Sequence, residues 1–429
     1  MTDKTSPMPR PDAPRVTSPN VALGMLLLVY IFNFVDRQIL AILAGPIQAD
    51  LGLSDTQMGL LGGIAFALLY STLAVPLGWI ADRTSRSWVI TISLGIWSGF
   101  TALCGFAQGF WTIFLARLGV GIGEAGGVAP SYALISDYFP SEKRARALSI
   151  YSLGIPLGSA TGVVAGGYIA ASVDWRLAFL TVGLAGVLLV PVFKYFVRDP
   201  VKPPVIDEAA PPQPSFMEVL KILSAKRAFW FLALGAASSS MLGYGIAFWL
   251  PSLLQRSFGL NLIETSLFFG SILLIGGVAG VMGGGMLGDW LGGKNKAAYG
   301  LVPAIAFLLA VPLFAAGIMS GSATLAFILF LIPQGLAYIW LGPVLSAVQH
   351  LVTAETRATA SALFLLINNL VGIGGGIFFL GALSDALTPV YGEEGLRYSM
   401  LISLIFYLFA AGFMALAARY LQKEWVAEG

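Results

Sequence analysis

This sequence is poor in charge, and it has one cysteine and one histidine. Only 11% of its 429 residues are Asp, Glu, Lys or Arg, against about 25% in soluble domains. Cys104 stands alone inside an apolar run, which excludes an internal disulfide and any thiolate cluster and fits a small core residue. His350 is equally alone, so histidine-based catalysis and a His-rich metal site are not expected. No Ser/His pair and no His-Glu-x-x-His run is available, and neither an enzyme nor a cofactor is expected. The net charge of +2 implies no nucleic-acid partner.

What the chain has instead is apolar length: 57% of it is hydrophobic. The apolar runs reach 20 residues or more, which predicts an all-α membrane protein; a barrel would show ~10-residue alternating segments. Twelve spans are expected, at about 21–45, 55–80, 87–107, 110–139, 145–171, 175–197, 228–254, 262–289, 297–318, 322–350, 356–384 and 395–421. Residues 1–20 read as a disordered tail and 422–429 as a C-terminal tail. The run from Val21 continues into Asp36 and Arg37 and lacks the cleavage site of a signal peptide. Between two six-span halves, 21–197 and 228–421, lies the segment 198–227. Its first part is proline-rich linker and its last part a possible amphipathic surface helix. With both ends inside, the inner segments hold 19 of the 24 basic residues and the outer loops three. That places both termini in the cytoplasm by the positive-inside rule.

The halves repeat. Gly78-x-x-x-Asp82 closes span 2 and Gly285-x-x-x-Asp289 closes span 8, 207 residues later. Asp82, with Arg83 and Arg86, reads either as plain inner-loop charge or as a latch. As a latch, Gly78, Asp82, Arg83, Arg86 and Asp289 would tie the inner side of one half to the other. Glycine ladders run along span 5 (Gly154, Gly158, Gly162, Gly166) and span 8 (Gly276, Gly280, Gly284, Gly288), with shorter pairs at Gly59/Gly63 and Gly372/Gly376. They pack within a half, or they form smooth faces that meet across the halves, 5 on 8 and 2 on 11. Pro156 removes a backbone donor and permits a bend in span 5.

Residues 110–139 carry Arg117 and Glu124 inside the span, seven apart and so on one helix face, roughly 10 Å apart. Span 1 adds Asp36 and Arg37. Each charge at such depth costs about 2.5–3.5 kcal/mol on insertion scales. The four are either two buried ion pairs or the lining of a polar cavity. Their heights place Asp36 or Arg37 opposite Arg117, with Glu124 about two turns further inward. In a cavity, a neutral foursome that admits an anion is unbalanced unless a carboxyl takes a proton. Arg37 and Arg117 would then hold an anionic head, and Asp36 and Glu124 would carry the proton. The second half offers only uncharged candidates: Tyr244, Trp249, Gln334, Tyr338, Trp340, Asn368 and Asn369, with Ser238 to Ser240. The run Gly121-x-Gly123-x-x-Gly126 formally matches a dinucleotide fingerprint, but it follows no strand and reads as helix packing.

These residues resemble the major facilitator superfamily, and within it the Spinster-like branch. The resemblance rests on Asn33-x-x-Asp36-Arg37, Pro76-Leu-Gly78-Trp-Ile-Ala-Asp82-Arg83, Arg117-x-x-x-Gly121-x-Gly123-Glu124-Ala with Ala129-Pro130, Ile155-Pro156-Leu157-Gly158-Ser159 and Trp175-Arg176. The second half matches mainly in span layout, and Trp290 follows Asp289 where Arg83 follows Asp82. The resemblance implies two pseudo-symmetric six-helix bundles, a monomer in a bacterial inner membrane, and proton-driven movement of a lysophospholipid or sphingosine-1-phosphate-like lipid. The alternative is a proton-coupled symporter of a soluble organic anion or sugar acid.

Overall fold

A computed structural model describes residues 17–200, 216–292, 295–353 and 356–426. Eleven helices among them are long and apolar enough to cross a bilayer. With no water in a hydrocarbon core, each backbone N–H and C=O must be satisfied within its own segment, and the helix does this. Spans 1 to 10 are Pro19–Ile42, Asp55–Arg83, Arg86–Cys104, Phe110–Tyr138, Arg146–Ser172, Trp175–Phe196, Arg227–Phe258, Leu262–Gly292, Ala298–Ile318 and Ala323–Gln349. The eleventh helix, Thr359–Glu424, has 66 residues. Straight, it would run ~99 Å, three times the ~30 Å hydrocarbon core. It turns back at Gly392, whose φ of 59° needs a residue without a Cβ. The described residues thus form twelve spans, with span 11 at 357–391 and span 12 at 395–424.

Side-chain oxygens fix several helix starts. Ser54 and Gln57 form a capping box at span 2, Ser85 accepts from Trp88 N–H at span 3, and Asp174 accepts from Leu177 N–H at span 6. Spans 1–6 and 7–12 pack as two bundles, through seams of 3 on 6 and 1 on 5 in the first and of 7 on 12 and 9 on 12 in the second. The bundles meet where span 5 faces span 8 and span 2 faces span 11.

The glycine ladders on spans 5 and 8 turn inward and pack within their own halves, the first of the two readings. A Cβ on Gly154, Gly158 or Gly162 would strike Tyr30, Ile31 or Val35 of span 1. One on Gly276, Gly280 or Gly284 would strike Leu331, Gly335 or Ile339 of span 10. These six seat neighbouring helices of their own half. The seam between spans 5 and 8 is built by other residues, with Gly167 against Ser266, Gly270 against Val164 and Gly277 against Pro156. On the other seam, Gly59 and Gly63 do meet span 11 across the halves, at Ile377, Phe378 and Gly374. Gly372 and Gly376 pack on span 7, and the Gly288 side is outside the described residues. Span 5 breaks its helix at Leu153, one turn before Pro156. Spans 2 and 11 each contain a π-helical stretch, Leu60–Ile64 and Leu370–Gly375, and the two stretches face one another. After the segment 201–215, which lies outside the described residues, a short helix Phe216–Ser224 buries Val219 and Leu223 and exposes Met217.

Candidate binding site

The four predicted charges gather in the first bundle. Glu124 is 0% exposed, Arg117 1% and Asp36 2%, while the Arg37 side chain keeps 13%. Arg37 Nε donates to Glu124 Oε2 at 2.8 Å. Of the two span 1 charges expected opposite Arg117, it is Arg37 that pairs instead with Glu124. Both guanidinium groups lie over the Phe66 ring of span 2, at 4.9 Å for Arg37 and 5.5 Å for Arg117. Tyr70 and Phe34 complete the aromatic wall around Arg37, at 4.5 and 5.1 Å. Cation–π contacts of this kind hold a guanidinium while leaving its N–H groups free.

The cluster is only half satisfied. Arg117 Nε and Nη1, Arg37 Nη2, Glu124 Oε1, Asp36 Oδ1 and both amide atoms of Asn33 are buried without a hydrogen-bond partner. Native interiors pair the large majority of such atoms with protein or water, so this many orphans in one place marks a site built for water or a ligand. A cavity lies beside it, lined by Arg37, Arg117 and Phe66 from the first half and by Tyr244, Phe248 and Ile377 from the second. It encloses about 40 Å³, room for a water or two.

Glycines let the helices close around the charges. A Cβ on Gly121 would lie 2.7 Å from the Phe66 carbonyl, one on Gly123 2.4 Å from the Trp97 amide, and one on Gly126 would meet Ser93. The run that mimics a nucleotide fingerprint is where spans 2 and 3 press on span 4.

The second-half candidates divide. Tyr244 lines the cavity. Trp249 does not: it is fully buried, and its indole N–H donates to the Ile377 carbonyl at 2.9 Å, a span 7 to span 11 packing contact. Trp340 is also packing, edge-on to Phe364. Asn368 accepts from Ser240 at 2.8 Å and donates to Asn369. Tyr338 lines a separate small pocket with Pro156 and Gly277 on the seam between spans 5 and 8, and Gln334 beside it is buried.

At the end where the described chain begins and stops, Asp82 pairs within its own half in this structure, as plain inner-loop charge does. Arg86 binds Asp82 at 2.7 Å and also binds Asp137. Arg83 lies over its neighbour Trp79 at 3.9 Å, and Gly78 is open but for Ala129. The Asp289 side chain is outside the described residues. Cross-half hydrogen bonds gather at the opposite end. Arg256 of span 7 grips Asp55 of span 2 with both terminal nitrogens, at 2.8 and 2.7 Å. Asp55 also accepts from Ser384 of span 11 at 2.6 Å and from Gln48 at 2.7 Å. Asp385 accepts from the backbone N–H groups of Asp55 and Thr56 and from the Thr56 hydroxyl. Sequence reasoning missed this knot. The expected spans 7 and 11 ended at 254 and 384, which left Arg256 and Asp385 just outside them; the capping sequence at Ser54, with Asp55 in its first turn, was the available signal.

A twelve-span bundle of two six-helix halves, with one ion pair and two further charges buried in the first, defines a transporter architecture. The Major Facilitator Superfamily profile matches residues 26–376, and the chain belongs to that family. It is 31% identical over 385 residues to an MFS-type efflux pump of Mycolicibacterium smegmatis, covering 89% of this chain and 88% of that one. It is 26% identical to Protein spinster homolog 3 of Danio rerio, covering 96% and 89%. Among solved structures, the chain superposes with a TM-score of 0.84 on a bacterial homologue of the human lysosomal transporter Spinster, in an inward-facing and unoccupied conformation. That match has 30% identity and covers 96% of this chain and 99% of the other. The protein is a Spinster-like multi-pass membrane transporter of this superfamily.

Proposed function

We propose that this transporter is proton-coupled and moves an anionic or zwitterionic single-chain lipid, of the lysophospholipid or sphingosine-1-phosphate type, by alternating access. In this reading it works as a monomer in a bacterial inner membrane, with both termini cytoplasmic and residues 21–197 and 228–421 as the two moving bodies. The observation that carries it is the half-satisfied cluster: one arginine held by Glu124, a second with two free N–H groups, and a buried carboxyl without an ion pair. Arg117 offers those N–H groups to an anionic head. Arg37 joins it when Glu124 gives up the pair, and Glu124 gives it up by taking a proton, since a neutral carboxyl no longer competes for the guanidinium. Tyr244, Phe248 and Ile377 present an uncharged wall for the apolar part. The name of the mycobacterial relative, an efflux pump, favours export.

The test is pH-gradient-driven flux of a fluorescent lysolipid in proteoliposomes. Glu124→Gln, which is isosteric and cannot be ionised, is expected to abolish the dependence on the gradient. Unchanged flux would refute proton coupling through this residue. Competition separates the cargo classes: single-chain lipids displace the probe, whereas displacement by a sugar acid in their place would favour a soluble organic anion.

A further inference from the structure

Two guanidinium groups over one ring need a physical reason. Like charges repel, and inside a bundle that repulsion is weakly screened. Arg37 has the Glu124 carboxylate at 2.8 Å. Arg117 makes no ion pair among the described residues, and its Nε and Nη1 have no hydrogen-bond partner, although it is 1% exposed. What its head does meet is the Phe66 ring, at 5.5 Å, and it lies over no second ring among the described residues. Arg37 has the same ring at 4.9 Å and two others, Phe34 and Tyr70. Phe66 is itself held from two sides. Its ring stacks on Tyr70 at 5.0 Å and 19°. Its carbonyl sits 2.7 Å from where a Gly121 Cβ would be, and Gly121 is one turn beyond Arg117 on the same face of span 4. The glycine thus lets span 2 approach closely enough to bring the ring up to the arginine.

The chemistry of that ring decides what the arginines can do. A carboxylate in its place would take up their N–H groups, and a hydroxyl or an amide would compete for them. A phenyl face attracts the cation electrostatically and accepts no conventional hydrogen bond, so the N–H groups remain for a ligand. We propose that Phe66 is a positioning and specificity-determining residue of the binding site. Its ring holds Arg37 and Arg117 as two arms for one anionic head, and so sets the preference for a charged head over an uncharged one. The effect acts chiefly through Arg117, because Arg37 keeps Glu124, Phe34 and Tyr70 as well. A ring that only filled space would support charged and uncharged heads alike.

This inference rests on the reading that the arginines seat an anionic head, and one experiment separates the two. The purified full-length protein is tested for binding of a lysophosphatidate with a fluorescent acyl chain, beside a monoacylglycerol with the same chain and no charge. Phenylalanine carrying one, two or three ring fluorines is placed at Phe66, which drains the negative face of the ring while largely keeping its shape. The Kd for lysophosphatidate is expected to rise with each fluorine, to about tenfold with three, and the Kd for monoacylglycerol to stay level. Arg117→Gln is expected to lose lysophosphatidate and keep monoacylglycerol. An Arg117→Gln protein that holds lysophosphatidate as tightly as wild type, or a wild type that binds it no better than monoacylglycerol, overturns the reading of the arginines as an anion seat. With Arg117→Gln behaving as expected, a fluorine series that leaves both probes level, or weakens both alike, overturns the role of Phe66 alone.

Discussion

Asp55 is the residue whose loss should most disturb the balance between conformations. Its side chain is 6% exposed and takes hydrogen bonds from Arg256, Gln48 and Ser384, two of them from the other half. Breaking a buried ion pair by removing one partner costs about 3–5 kcal/mol. The Arg256 side chain is 30% exposed and recovers part of its hydration, so Asp55→Asn should cost the tied state about 2–3 kcal/mol. At 1.4 kcal/mol per tenfold, that is roughly 30- to 150-fold in the equilibrium between tied and parted ends. Spin labels at Val173 and Val390, both exposed at that end and on different halves, read the separation directly. Cys104 is buried and stays unlabelled. In wild type the short distance dominates; in Asp55→Asn and in Arg256→Gln a longer one should replace it. The exchange Asp55→Arg with Arg256→Asp should restore part of the short population, limited by Gln48 and Ser384 left facing an arginine. Unchanged distances in both single variants, with folding intact, would show that the knot holds no conformational free energy.

Glycine contacts predict a contrast. Gly280→Val, whose Cβ would sit 2.2 Å from the Gly335 carbonyl inside one half, should lower the melting temperature, at about 1–3 kcal/mol of overpacking. Gly63→Val, 2.9 Å from the Gly374 carbonyl across the halves, should instead lengthen the Val173–Val390 distance with a smaller thermal loss. Asp199, past the end of span 6, predicts a pH dependence of stability. Burial pushes its carboxyl up, but bonds from Ser85, from the hydroxyl and N–H of Ser87, and from nearby Lys194 outweigh that and hold it below the ordinary carboxylate range. A carboxyl lowered on folding stabilises fully above its unfolded value of about 3.9 and loses that as pH falls through the folded value. Asp199→Asn should thus destabilise at neutral pH and match wild type in strong acid, as thermal melts at both pH values would show.

The span count, the halves and the buried charges were legible because each follows from a strong local rule. A charge inside an apolar run is costly wherever it faces, so Asp36, Arg37, Arg117 and Glu124 could be singled out without knowing any contact. Partnership was not legible. Arg37 bonds Glu124, and a height estimate does not resolve the reach of so long a side chain. The direction of the glycine ladders was hidden for a similar reason: Gly158 and Gly280 require a close neighbour, but a stripe of small residues does not say which helix fills it. The Asp55–Arg256 knot stayed out of sight because polar residues at span ends are ordinary, and their pairing across 201 positions of sequence depends on how the halves dock.

Span 2 is the element that connects the proposed site to the knot. Asp55 opens it and Phe66, under both arginines, lies eleven residues on, about 16 Å along the helix. Between them the backbone passes through the π-helical stretch Leu60–Ile64, pressed against its counterpart Leu370–Gly375 in span 11. A π turn is a local widening that an α-helix can absorb by passing the extra residue along, which makes it a natural place for a change of register. Phe66 cannot move freely sideways, because its carbonyl is seated where Gly121 has no Cβ. Any rearrangement of Arg37 and Arg117 over the Phe66 ring is therefore resolved along span 2, toward Asp55, more easily than across it. In the proposed mechanism, seating an anion on the arginines and loosening the far end of the bundle would thus act at two ends of one helix, the physical connection that alternating access would require.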